Sequence, residues 1–293
     1  MNVFELTPQM VSGQLLVGLI NGSFYALLSL GLALIFGMLR VINFAHGALY
    51  MLGAFVAWWL LTELGVPYGI ALVLSPLIVG AFGVLLERVF LARLQGKDPL
   101  YGLLLTFGLA LIVEGSFRHF YGTSGKPYPM PEAFRGAFDL GFMVLPYYRA
   151  WVVVASLAVC IGTWSMIEKT TFGAKLRAAN ANPTLVQAIG INVPLLITFT
   201  YTLGAGLAAL AGTLAAPIYQ VSPLMGQHMI IVVFAIVVIG GMGSMLGAIA
   251  AGYLLGLCEG VARIFYPEAA GVVVFLIMAL VLLLRPTGLF GRQ

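Results

Sequence analysis

Asn43 and His46 stand three residues apart in Gly37-Met38-Leu39-Arg40-Val41-Ile42-Asn43-Phe44-Ala45-His46-Gly47, a polar interruption between two strongly apolar stretches. If those stretches lie in a bilayer, ionisable and amide groups between them are costly and become candidates for contact with a solute. At this spacing they share a face of a helix. The competing role is structural: capping a helix start and bonding each other or nearby backbone. A lone histidine with no second ligand at suitable spacing is not a metal site. Asn21 lies inside the first apolar stretch with Ser23, Tyr25 and Ser29, and Glu114 ends a later one with Arg118 four residues on, the spacing of a helical ion pair. Thr198, Thr200, Tyr201 and Thr202 are suited to bonds between helices.

Composition decides what surrounds these groups. Of 293 residues, 61% are hydrophobic and 8% charged, against about 25% charged in a soluble domain. Such a chain cannot coat itself with polar groups, which excludes a soluble enzyme, a disulfide scaffold and a disordered chain. The net charge of +4 contains no basic run, so nucleic acid is not an expected partner. Cys160 and Cys258 form no CxxC pair and read as small buried hydrophobes. The patterns GxxxxGK[ST], GxSxG and HExxH are all missing, so neither phosphate-loop ATP hydrolysis nor intramembrane hydrolysis is expected.

The chain therefore reads as an all-α polytopic membrane protein, a single domain over 1–293. A span needs about 20 apolar residues. That ruler finds eight segments, near 13–38, 44–61, 69–90, 101–117, 149–167, 196–217, 229–256 and 270–284. Broken or re-entrant stretches near 37–47 and 240–244 widen the range to eight to ten. No basic region precedes the first segment, which is expected to stay as a membrane helix. Pro76 and Pro217 are positions to kink or end a helix. Gly240-Gly241-Met242-Gly243-Ser244 interrupts the seventh segment. Backbone that leaves the helix at membrane depth is buried in protein or lines a wet cavity, and a broken helix offers free N–H groups to a carboxylate. Asn21, Asn43, His46, Glu114, Gly240, Gly241, Gly243 and Ser244 are thus the candidates for a solute pathway.

Lysine and arginine orient the segments. Arg40, Arg88, Arg93, Lys97, Lys169, Lys175 and Arg177 fall on one side; Arg118, Lys126, Arg135 and Arg149 fall on the other, around the loop 118–148. The N-terminus is expected outside and the loop 168–195 inside, while the side of Arg285 and Arg292 depends on the Gly240 interruption. Within the inner loop, Asn182 is a preferred N-cap, Pro183 suits the first helical position and Gly190 suits the position past the end. A helix of about two turns over 183–189 is expected. Leu185, Val186, Ala188 and Ile189 give it an apolar face, fit for a groove on another protein or for the lipid surface.

Gly31-Leu32-Ala33-Leu34-Ile35-Phe36-Gly37, running on to Val41-Ile42-Asn43-Phe44-Ala45-His46-Gly47-Ala48, resembles the N-terminal signature of the Liv-type permeases, membrane subunits of bacterial branched-chain amino-acid ABC importers. The stretch Phe172 to Gly190, the Gly240–Ser244 break and the ending Leu284-Arg285-Pro286-Thr287-Gly288-Leu289-Phe290-Gly291 are similar too, and the likeness leans to the shorter of the two permease subunits. The resemblance implies a multi-pass protein of the cell inner membrane, not an enzyme. It pairs with a second permease, sits on two cytoplasmic ATPase subunits that bind ATP-Mg, and receives substrate from a periplasmic binding protein; no cofactor binds this chain. It makes 168–195 the coupling loop, with Phe172, Gly173, Arg177, Asn182, Pro183, Thr184, Leu185, Val186, Ala188, Ile189 and Gly190 facing the ATPase. One departure is Ala179-Asn180, where many ABC permeases carry an acid. Relatives for urea, amides or other small organic solutes are the alternative substrate reading. An ion-coupled secondary transporter or a channel is the alternative class, against which the scarcity of acids within the spans argues.

Overall fold

The computed structural model describes residues 7–39 and 41–291, so Arg40 and Arg292 lie outside the described residues. In chain order the helices are α1 (Pro8–Leu39), α2 (Ala45–Thr62), α3 (Tyr68–Val89), α4 (Pro99–Tyr121), α5 (Tyr147–Lys169), α6 (Thr171–Ala181), α7 (Pro183–Ala188), α8 (Val193–Ala215), α9 (Met225–Gly240), α10 (Met245–Phe265) and α11 (Ala270–Leu284). A small antiparallel hairpin, β1 (Ala137–Asp139) and β2 (Val144–Pro146), lies in the loop before α5. Among the described residues, eight helices are long and apolar enough to span a membrane, and α9, at 16 residues, is a shorter apolar helix. The stretch 229–256, expected as one interrupted segment, is thus two helices. Gly241 (φ 99°) and Gly243 (φ 85°) turn the chain between them, in a backbone region that side chains disfavour, and Ser244 caps α10 by accepting the Gly247 N–H at 3.1 Å.

Two networks define the two sides of the bundle. On the hairpin side, Lys126 and Val221 exchange backbone hydrogen bonds of 2.8 and 3.0 Å, and the Tyr148 hydroxyl, 2.9 Å from that of Tyr68, donates to the Leu214 carbonyl. These bonds join the starts of α3 and α5 to the ends of α4 and α8. On the opposite, α6–α7 side, Thr198 donates to Glu87 at 2.7 Å, joining the end of α3 to the start of α8. The Leu289 and Phe290 N–H groups bond the carbonyls of Ile239 and Gly240, and Gly37 packs against Gly243. The C-terminal tail therefore shares a side with α6 and α7. The Gly240–Ser244 stretch is a turn at the end of two helices on that side.

The core is a set of close helix crossings. α1 is the most buried span, whereas α4 and α11 are peripheral. Gly18 and Gly22 of α1 face Gly252 and Gly256 of α10, backbone against backbone, and Gly53 of α2 meets Ala209 of α8 in the same way. In lipid, where apolar side chains gain little by leaving one environment for another, such close packing of small residues holds helices together. A Cβ on Gly252 would strike the Ala26 backbone, whereas one on Gly162 meets nothing within 4 Å. Gly252→Leu is expected to destabilise the detergent-solubilised protein by at least ~1–3 kcal/mol, read as a lower midpoint of thermal unfolding, while Gly162→Leu leaves the midpoint unchanged.

Candidate translocation site

The polar interruption after α1 is a return of the chain into the bundle. His46, in the first turn of α2, places Nε2 3.0 Å from the Leu28 carbonyl. Leu28 lies eleven residues before the end of α1, about 16 Å back along the helix axis. Residues 41–44 therefore climb beside α1, and α2 starts inside the membrane. The ascending backbone is tied down at each step. Thr106 of α4 accepts the Phe44 N–H at 3.2 Å and lies 3.2 Å from the Ile42 carbonyl. Asn43 accepts the Ala45 N–H at 3.1 Å and donates to the Tyr201 hydroxyl of α8 at 3.2 Å. Asn43 precedes α2, so Asn43 and His46 do not share a helix face as their spacing predicts. Their contacts are structural: Asn43, one residue before the N-cap position of Phe44, bonds the Ala45 N–H and Tyr201, and His46 bonds backbone. His46 is fully buried against Gly31; since a carbonyl only accepts, Nε2 carries the ring proton, and Nδ1 has no partner among the described groups.

A second irregular stretch enters from the hairpin side. After α8, residues 216–224 descend until Gly226, in the first turn of α9, packs on the Gly47 backbone of α2. Two helices that start within the membrane thus meet, one rising toward the hairpin side and one running toward α6 and α7. Along this descent Tyr219 donates to Asn21 at 3.2 Å and its ring packs on Phe24.

Between these two starts and α4 lies a groove, open on one side, lined by Phe44, Gly47, Met51, Phe107, Glu114 and Ile230 among others. Glu114 is buried and receives a 2.5 Å hydrogen bond from Arg118, the helical pair anticipated from spacing. Glu114 lies seven residues beyond Phe107 on α4, so the groove runs about 10 Å along the bundle axis. At its deep end Phe44 sits between Phe107 (centroids 6.0 Å) and Phe234 (6.4 Å) and closes it.

The sequence candidates separate on this geometry. Glu114 lines the groove, and Asn43 and His46 fix the helix start that forms its floor. Asn21 is seven residues, about two turns, nearer the hairpin side than Leu28, beside Tyr219. Gly240, Gly241, Gly243 and Ser244 are at the far end of α9; Gly243 lines a second cavity with the end of α1 and with Leu176 and Arg177 of α6. Tyr201, expected to bond between helices, does so through Asn43. Sequence reasoning missed Phe44, Phe107, Met51 and Ile230, whose types carry no chemical signal, and it missed that the Tyr25 hydroxyl donates to buried Glu259 at 2.7 Å. On the hairpin side, outside the spans, burial beside Tyr68 pushes the Tyr128 hydroxyl up to about 12.

The α6–α7 side is built from equally local rules. Asn182 caps α7 by accepting the Leu185 N–H at 3.0 Å, with Pro183 first in the helix. Gly190, at φ 85°, turns the chain out of it. α7 ends at Ala188, one residue short of the expected span. Val186 is buried, while Leu185, Ala188 and Ile189 are exposed, as are Thr184 and Pro183. The residues upstream form a helix, α6, that composition did not announce. Gly173 packs on the Ile167 carbonyl, Phe172 meets Phe199 edge to face at 4.9 Å, and Arg177 donates to the Ile167 carbonyl at 2.6 Å.

A sequence profile of the family described as branched-chain amino acid transport system, permease component, matches residues 14–282. The chain is 33% identical over 292 residues to the high-affinity branched-chain amino acid transport system permease protein BraD of Pseudomonas aeruginosa, covering 95% of each chain. It is 29% identical to the corresponding permease protein LivH of Escherichia coli K12, again covering 95% of each. It is also 28% identical to the permease protein LivM of Salmonella typhimurium, over 90% of this chain and 67% of that one.

Removing the amide of Asn43 leaves the buried Ala45 N–H, first in α2, and the buried Tyr201 hydroxyl each short of a partner. Asn43→Ala is expected to lower stability by about 1–2 kcal/mol, measured by thermal unfolding in detergent. Asn43→Asp, which keeps an acceptor for the Ala45 N–H but buries a carboxylate at membrane depth, is not expected to recover that loss.

Proposed function

Because the chain belongs to the family of permease components of branched-chain amino acid transport systems, matched over residues 14–282, we propose that it is the membrane permease subunit of an ATP-driven ABC importer. It carries branched-chain amino acids across the bacterial inner membrane, from the hairpin side to the α6–α7 side. It works as one of two permease subunits, and this chain's similarity to LivM as well as to LivH supports a pair of related chains. Two ATPase subunits bind and hydrolyse ATP-Mg on the α6–α7 side, and a binding protein delivers substrate to the other.

The observation that carries this reading is the form of α6 and α7. A rigid, capped helix presents Leu185 and Ile189, 61% and 69% exposed, at its tip. Large apolar side chains held at an exposed tip suit insertion into a groove of a partner. Arg177 anchors the preceding helix to the end of α5, and the same helix borders the second cavity with Gly243 and Met245. A push on α7 therefore has a packed route through α6 to the end of α1 and to the α9–α10 turn. α1 ends in the stretch that leads to the floor of the groove, and α9 starts at that groove. Alternating access follows if nucleotide-driven displacement of α7 shifts Phe44 out from between Phe107 and Phe234.

With both permeases, the ATPases and the binding protein in vesicles, wild-type protein is expected to take up leucine only when ATP is present. Leu185→Arg is expected to reduce that uptake at least about tenfold and to release the ATPase on gel filtration, since one charge at a buried apolar hot spot removes several kcal/mol. Leu185→Met is expected to retain both. Uptake by this chain alone under an ion gradient would instead support a secondary transporter.

A further inference from the structure

We infer that the groove between α2, α4 and α9 is the seat of the substrate's aliphatic side chain, with its open side completed by the second permease subunit. The inference rests on the function proposed above and adds where, and by what chemistry, the substrate is held.

The walls select for hydrocarbon. Phe44, Met51, Phe107, Leu111 and Ile230 supply them, so the lining suits an apolar side chain. The charged group on the wall is Glu114, toward the hairpin-side end, with its Oε1 held by Arg118, whose side chain is half exposed. An acid and a guanidinium side by side complement the ammonium and carboxylate of a zwitterion, and the groove beneath them takes an apolar side chain. Urea or a simple amide has nothing to fill it.

Lipid does not fit the open side. Pro223 belongs to the irregular stretch 216–224, and Gln227, exposed in the first turn of α9, also lines the groove. Irregular backbone and an amide at membrane depth are excluded from contact with acyl chains and tolerated against protein or water. Phe107 and Leu111 on the opposite wall are 48% and 47% exposed within this chain, an incomplete enclosure that a second subunit finishes. The deep end is already shut by Phe44 between its two aromatic neighbours, so a side chain seated here waits above a closed floor.

The test uses the complete transporter in vesicles. A diazirine analogue of leucine, delivered by the binding protein and photolysed, is expected to label peptides containing Phe44–Met51, Phe107–Leu111 and Gly226–Ile230, with unlabelled leucine competing. Ala110→Met, which narrows the groove, is expected to lower leucine uptake about tenfold more than valine uptake, the discrimination one methylene supports. Glu114→Gln is expected to raise the half-saturating concentration while the ATPase stays bound. Competed adducts mapping elsewhere, or equal losses for leucine and valine, would overturn the seat while leaving the importer reading standing. A wild-type complex that takes up no branched-chain amino acid would bring down both. Should Ala110→Met fail to assemble, the adducts on the wild-type protein decide the matter alone.

Discussion

Hydrocarbon offers no hydrogen bonds, so a backbone that leaves the helix inside a bilayer must find every partner within the protein. This chain does so twice, at residues 41–44 and 216–224, and the rest of the architecture follows from how those stretches are satisfied. The first is held by Thr106, by Asn43 on the Ala45 N–H and by His46 on the Leu28 carbonyl; the second by the exchanged bonds of Lys126 and Val221 and by Ser222, which accepts the Leu224 N–H. Each set of bonds draws in another helix, which is why α1, α4 and α8 surround the first break.

The two breaks produce two helix starts in contact, at Gly47 and Gly226. Neither position tolerates a side chain, because a Cβ on either meets the other's backbone. Their contact lets α2 and α9 act as one joint with arms toward opposite sides. One arm supports the groove; the other ends at the Gly240–Ser244 turn, clasped by the C-terminal tail and next to α6. In the transport cycle proposed for this family member, that joint couples the ATPase-facing surface to the solute-facing one.

Sequence made some of this legible and not the rest, for identifiable reasons. α7 was readable because its ends are written in local chemistry: an Asn cap, a Pro in the first turn, a Gly beyond. The Glu114–Arg118 pair was readable from spacing, and Asn43 and His46 stood out because polar groups in apolar runs are conspicuous. What stayed hidden depends on depth. The 229–256 run shows its break at Gly240–Ser244, but the stretch before that break is apolar from its start and gives no hint that α9 begins inside the membrane. The groove walls come from three segments more than 50 residues apart, and Met51, Phe107 and Ile230 look like any lipid-facing residues until the fold brings them together. The polar cluster 240–244 showed the opposite: its glycines mark a turn at a helix end, away from the groove.

The most direct test of this account is the access of water to the groove wall at membrane depth. Cys160 and Cys258 are first replaced by alanine in the complete, vesicle-embedded transporter, and single cysteines are then placed by Gln227→Cys and, for comparison, Leu283→Cys, at a position 82% exposed on peripheral α11. A water-soluble, membrane-impermeant maleimide added from the hairpin side is predicted to label position 227 and not position 283, with leucine-loaded binding protein slowing the reaction. Labelling of position 227 only by lipid-soluble reagents, as at position 283, would contradict the account, because the second break would then face lipid and no pathway would lie beside it.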